Sequence, residues 1–140
     1  MCKAMEVAGY ITNCIEVDKL KLQKLLFYCQ AVHIVFTDKP LFDDEIQAWD
    51  YGPVVPSVYK KIKSKEGIIR LPYKGTLSEE QIKYIDMTLE YYGNKSGAAL
   101  INETHSEAAW INAYNNGRNT PITFNDIKDC YAKIYSITEE

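Results

Sequence analysis

His33 and His105 are the two histidines of this 140-residue chain, and they are its natural candidates for a base near neutral pH. His105 lies in the run N-E-T-H-S-E-A-A-W, Asn102 to Trp110. As a general base it would serve Ser106 or Ser57 as nucleophile, with Glu107 as a nearby carboxylate. That chemistry also needs oxyanion donors and a strained nucleophile turn, and no G-x-S-x-G elbow is present. The expected use of His105 is instead a local hydrogen-bond network with Thr104, Ser106 and Glu107. His33 sits between Val32 and Ile34 in the most apolar stretch, where a hydrogen-bonded core histidine is expected. No catalytic constellation emerges, and the chain is expected not to be an enzyme.

Metal and phosphate chemistry lack their usual spacings. There is no H-E-x-x-H, no Cys/His pair, no G-x-x-x-x-G-K-[ST] and no G-x-G-x-x-G, so no metal and no cofactor are expected. Cys2, Cys14, Cys29 and Cys130 form no CxxC. The last three fall on or beside apolar stripes, where a thiol behaves as a small hydrophobe. With no secretory signal, reduced thiols and a cytoplasmic location are the expectation. No apolar run approaches the roughly 20 residues of a membrane span. Lys60, Lys61, Lys63, Lys65 and Arg70 form a basic run, yet the net charge is −3. A solvated helix face is therefore expected there, and a dedicated nucleic-acid binder is disfavoured. The 11 tyrosines combine apolar area with a polar tip, which suits half-buried surfaces and interfaces.

The elements that must position these residues read as helices. Ala4, Val7, Ala8 and Ile11 space a first helix over Lys3–Asn13. Asp18 is the expected N-cap of a second, Lys19 to about Phe36. That helix has one stripe of Leu22, Leu25, Leu26, Cys29, Val32 and Phe36, and another of Leu20, Phe27, Ala31 and Ile34. A helix apolar on two faces belongs at the centre of a fold. Ser78 and Gln81 form a capping box for a helix ending near Gly93. Ser96 and Ser106 are the expected caps of two short helices. Thr123 with Asp126 opens the last helix, whose face is Ile127, Cys130, Tyr131, Ile134 and Ile137. The expectation is an all-α, compact single domain over residues 1–140. It would be a bundle of six to eight helices, with Gly67–Thr76, either a short β-hairpin or an extended loop, as the one place where strand is allowed.

One crowded corner, Leu41–Ile62, organises the rest. A short helix is expected through Glu45–Trp49, broken at Gly52 and Pro53. Pro56 is placed to open the next helix, where its missing N–H costs nothing. Val55, Val58, Tyr59 and Ile62 fall on one face of that helix. The bland reading is a structural helix-turn-helix elbow.

Three segments occur in order: K-L-Q-K-L-L-F-Y-C-Q-A at Lys21–Ala31, I-Q-A-W-D-Y-G-P-V-V-P-S-V-Y at Ile46–Tyr59, and T-H-S-E-A-A-W at Thr104–Trp110. Together they resemble the Panacea domain, the SocA-like antitoxin family that includes GepA-type phage-associated proteins. Ala109 stands where the family often carries Pro. The resemblance implies a mostly helical antitoxin encoded beside a toxin, often on prophages or other mobile elements, that neutralises the toxin by direct protein binding. Many members carry an extra region associated with specificity, and this chain is expected to be essentially the bare domain. The motif positions are Trp49, Tyr51, Gly52, Pro53, Tyr59, His105 and Trp110. Most are expected to build the fold, with Trp49, Tyr51 and Tyr59 the first candidates for partner contact and Trp49 largely buried. The cognate toxin is the expected partner, no membrane is expected, and a homodimer is left open. The alternative is a DNA-binding regulator of its own operon, acting through the lysine-bearing helix at Val54–Lys65.

Overall fold

In the computed structural model, which describes residues 1–135, thirteen consecutive residues of one helix, Leu22–Ile34, are buried. This helix, α2 (Lys19–Thr37), follows α1 (Ala4–Cys14). Asp18 caps it as expected, its carboxylate accepting from the Lys21 N–H at 2.9 Å. Asp38 ends it in the left-handed region at φ 61°. The chain continues through β1 (Gln47–Trp49), β2 (Gly52–Val54), α3 (Pro56–Ile62), α4 (Glu79–Tyr92), α5 (Gly97–His105), α6 (Ala108–Asn115), β3 (Thr120–Pro121) and α7 (Phe124–Ile134). α2 packs against α1, α4, α5, α7 and β2, so the central role implied by its two apolar stripes is met. Their outer ends, Leu20 and Phe36, are exposed.

Seven helices lie among the described residues, with a small sheet of strand order β2-β1-β3. The local cap signals worked. Ser78 with Gln81 and Thr123 with Asp126 form reciprocal capping boxes, and Ser96 accepts from the Ala99 N–H. Pro56 opens α3. Of the expected last-helix face, Ile127 and Tyr131 are buried, Cys130 is half-buried and Ile134 is exposed. Ile137 lies outside the described residues.

Two expectations are corrected, and one open choice is decided. Glu45–Trp49 is not a short helix: Gln47–Trp49 is the central strand, with Ile46 and Ala48 buried and Gln47 and Trp49 half-buried. This is the period-2 alternation of a strand, and the corner is a hairpin followed by a helix rather than a helix-turn-helix. Gly67–Thr76 holds no strand. Its Ile69 and Leu71 are buried alternately, but their N–H groups bond to the Val17 carbonyl (2.8 Å) and the Thr12 hydroxyl (2.9 Å). With its backbone served by α1 and the α1–α2 connection, the segment is a loop without a partner strand. Ser106 does not cap α6. Its hydroxyl donates to the Glu103 carbonyl at 2.7 Å, closing α5, while Glu107 holds the N-cap position without a side-chain cap.

Candidate functional site

The hairpin turns at Asp50 and Tyr51, with Trp49 paired to Gly52, Ala48 to Pro53 and Gln47 to Val54. Gly52 takes the positive φ the turn requires, 105°. Pro53 lies on an edge strand, where its missing N–H breaks no sheet ladder. β3 completes the sheet through Asn119 N–H to Ala48 O and Ile122 N–H to Ile46 O, both 2.8 Å.

From the core side, α2 grips this hairpin with two polar side chains. The Gln23 amide accepts from the Val55 N–H at 2.8 Å and donates to the Val55 carbonyl at 3.4 Å. Lys24 is fully buried, and its Nζ donates to the Pro53 carbonyl at 2.6 Å. Burial alone pushes this amine down to about 7. A Cβ on Gly52 would lie 2.9 Å from Lys24 Cε and 2.9 Å from Thr104 Oγ1. All three motif segments thus meet at one junction: Lys24, Gly52–Pro53 and Thr104.

On the far side, aromatic rings of α5 and α6 hold the turn. His105 stacks on Trp110 at 4.1 Å between ring centroids, and Trp110 stacks on Tyr114 at 4.6 Å. The Trp110 indole donates to the Trp49 carbonyl at 2.9 Å. The Tyr114 hydroxyl donates to Asp50 at 2.6 Å, and Arg118 grips the same carboxylate through two N–H groups. Arg118 and then Tyr114 hold the Asp50 carboxyl below its ordinary range. Trp110→Phe removes the indole donor and leaves the Trp49 carbonyl without it. Urea unfolding is expected to show a loss of roughly 1–2 kcal/mol. An unchanged midpoint would remove this bond from the hairpin's support.

The His105 network expected from sequence does not form. Its Nε2 is buried without a hydrogen-bond partner, and the ring's role is the stack on Trp110. Ser57 donates to Asp44 at 2.6 Å and Ser106 to its own helix end, so neither hydroxyl is bonded to His105. Glu107 turns into the core, where one oxygen accepts from Tyr28 (2.8 Å) and Tyr131 (2.6 Å). Desolvation raises its carboxyl above the ordinary range, against the lowering effect of both hydroxyls. His33 is the hydrogen-bonded core histidine expected: its Nδ1 lies 2.7 Å from the Lys39 carbonyl. Among the described residues no group of three or more His, Cys, Asp or Glu side chains could hold a metal ion. All four cysteines are free.

The outer face of the hairpin forms one wall of an open groove of about 560 Å³. Trp49, Tyr51 and Tyr59 all line it, with Leu20 and Ile62. The three aromatic residues named from sequence therefore come together. Trp49 is neither fully buried nor exposed, its ring 4.9 Å from that of Tyr59 and its indole donating to Gln47 at 2.9 Å. Tyr51 is 67% exposed and Tyr59 40%. Gly52 and Pro53 are buried, while His105 and Trp110 are half-buried supports behind the turn. Sequence reading singled out neither Gln23 nor Lys24, and it named Thr104 only as a partner of His105. The available signal was α2 itself, since a helix apolar on two faces leaves little solvent for the polar residues between them.

No helix among the described residues is long and apolar enough to cross a membrane. No solved structure matches the chain. One curated relative, the antitoxin SocA of Caulobacter vibrioides (strain NA1000 / CB15N), is 28% identical over 125 residues. The match covers 77% of this chain and 65% of that protein, so the chain spans just under two thirds of its relative's length. The family described as antitoxin SocA-like, Panacea domain, matches residues 22–111, which include the α2 motif, the hairpin, α3 and the Trp110 support. The three segments that converge on Lys24 fall within that match except for Lys21 at its edge, and the chain belongs to the SocA-like antitoxin family with its Panacea domain.

Proposed function

We propose that this protein is the antitoxin of a toxin–antitoxin pair and neutralises its toxin by direct contact through the groove beside the hairpin. The observation that carries the reading is a division of labour within the family motif. Gly52, Pro53, His105 and Trp110 are occupied in building the hairpin, whereas Tyr51 and Tyr59 stand open to solvent with Trp49 between strand and groove. Exposed aromatic anchors held on a rigid support are the usual centres of protein–protein interfaces. The proposal sets this encounter in the cytoplasm, where free cysteines stay reduced.

The test is genetic and biochemical. The adjacent gene is expressed alone and then with this one. Growth arrest followed by rescue is expected, as is co-purification of the two products. Tyr51→Ala is expected to fold with unchanged melting temperature and to lose rescue, with binding weakened about ten-fold or more. A harmless neighbour, or one still toxic when both are made, overturns the antitoxin reading. Full rescue by Tyr51→Ala moves the contact elsewhere.

The second reading, a DNA-binding regulator, has the exposed Lys60, Lys61, Lys63 and Lys65 in its favour. Against it, α3 is a two-turn helix that follows a hairpin and not another helix. A mobility shift on its own promoter with a steep salt slope would support it.

A further inference from the structure

The groove differs in charge from the protein that carries it. Acidic groups outnumber basic ones by 19 to 16 over the whole chain. Yet Lys19, Lys24 and Arg118 line the groove against one carboxylate, Asp50, which is already held by Arg118 and Tyr114. The bordering α3 and its end add Lys60, Lys61 and Lys63, all exposed and none ion-paired with a described residue. Lys24 is the unusual member. It is fully buried, it makes one hydrogen bond to a neutral carbonyl, and it faces no carboxylate in an ion pair among the described residues. When it holds its proton, a buried amine without a counter-charge is screened less than an exposed one, so its field reaches the groove above it.

We propose that this groove takes an acidic segment of the partner protein, with an apolar side chain seated among Trp49, Tyr51 and Tyr59 and carboxylates carried over Lys24 and beside Lys19 and Lys63. This rests on the reading of the chain as a toxin-binding protein and names the chemistry of what it binds. Aromatic walls supply apolar area, and the surplus of cations supplies selection and steering. Burial holds the Lys24 amine near 7, so an arriving carboxylate would also draw a proton onto it. The ionisable groups on the elements around Lys24 are Lys19, Lys21, Tyr28, Cys29 and His33 on α2, Asp50 and Tyr51 at the turn, Tyr59, Lys60 and Lys61 on α3, Glu103 and His105 on α5, and Arg118.

The test uses the purified chain and fluorescence anisotropy near pH 6.5. Three labelled peptides of about eight residues share a central Leu-Phe pair and are flanked by glutamates, serines or lysines, and a short oligo-dT is the fourth probe. The glutamate peptide is expected to bind about ten-fold tighter than the serine peptide, the lysine peptide not at all, and the advantage to shrink at about 0.5 M salt. Lys19→Glu with Lys63→Glu, both at exposed or half-exposed positions, should reduce the glutamate peptide to the serine level. Lys24→Met should do so in part. Equal binding of the three peptides, or none, overturns the inference. Oligo-dT binding in place of the glutamate peptide overturns it in favour of nucleic acid. Rescue from the toxin that is indifferent to the two charge reversals removes the acidic segment and leaves the antitoxin reading standing. Failure of rescue by the wild-type chain removes the antitoxin reading, and the peptides then decide the groove's preference alone.

Discussion

Gly52→Ala is expected to cost about 3 kcal/mol or more of folding stability, the largest effect of any single methyl in the motif. Two separate penalties add. At φ 105° an L side chain is strained whatever space surrounds it. The new Cβ would also meet Lys24 Cε and Thr104 Oγ1, each at 2.9 Å. Neither neighbour yields easily. Lys24 is fully buried and tied to the Pro53 carbonyl at 2.6 Å, and the buried Thr104 hydroxyl donates to Ile101 at 2.9 Å. Gly67→Ala is the control, because Gly67 has φ 65° but nothing near its Cβ position. It should lose only the conformational part, about 1 kcal/mol. Urea unfolding of both variants checks this. A Gly52→Ala loss no larger than that of Gly67→Ala would mean that the junction relaxes, and the close packing of the three segments would then carry little of the hairpin's stability.

What could be read from the sequence divides along a physical line. Signals that act within four residues were legible: the caps at Asp18, Ser78, Ser96 and Thr123, the proline start at Pro56, and the two stripes of α2. Strand pairing was not. Ile46 to Trp49 is too short to separate period 2 from a helical turn, and the return strand contains a glycine and a proline. Ile69 and Leu71 alternate as a strand would, but whether a partner lies beside them is decided by α1, which no local pattern reports. Ser106 looked like a cap because serine before an apolar run usually is one. Its hydroxyl bonds the end of the preceding helix instead, and the N-cap position falls to Glu107, whose side chain turns inward to Tyr28 and Tyr131.

For the site, residue type found the exposed half and missed the buried half. Trp49, Tyr51 and Tyr59 stood out as aromatic and came together on one groove. Lys24 was hidden in K-L-Q-K-L-L, where a lysine reads as solvated. Only the three-dimensional meeting of α2, the hairpin and α5 shows why segments nearly 80 residues apart form one motif. Lys24 bonds Pro53, and Gly52 leaves just enough room for Lys24 and Thr104. The hairpin that presents the aromatic wall is thus set from beneath by a lysine.

That lysine makes stability depend on pH in an uncommon direction. Its folded value, about 7, lies below its ordinary 10.5, because burial penalises the charged amine. Between those values the unfolded chain holds a proton that the folded chain has released, so folding is favoured as pH rises. The cost of the buried charge is fully present below about 7 and recedes above it. Relative to Lys24→Met, which keeps the length of the side chain without its charge, the wild-type protein should gain about 2 kcal/mol between pH 6 and 8.5. Taking the difference between the two proteins cancels groups that both share. In each protein taken alone those groups oppose the trend at higher pH. Burial raises Cys2 to about 11 and Cys29 to about 12 from an ordinary 9, so above pH 9 both thiols lower stability as pH rises. Urea midpoints of wild type and Lys24→Met at closely spaced pH values give the measurement. A difference that does not change with pH would mean that Lys24 keeps its proton in the fold. The field beneath the groove would then be permanent, and an acidic segment would bind without drawing a proton from solution.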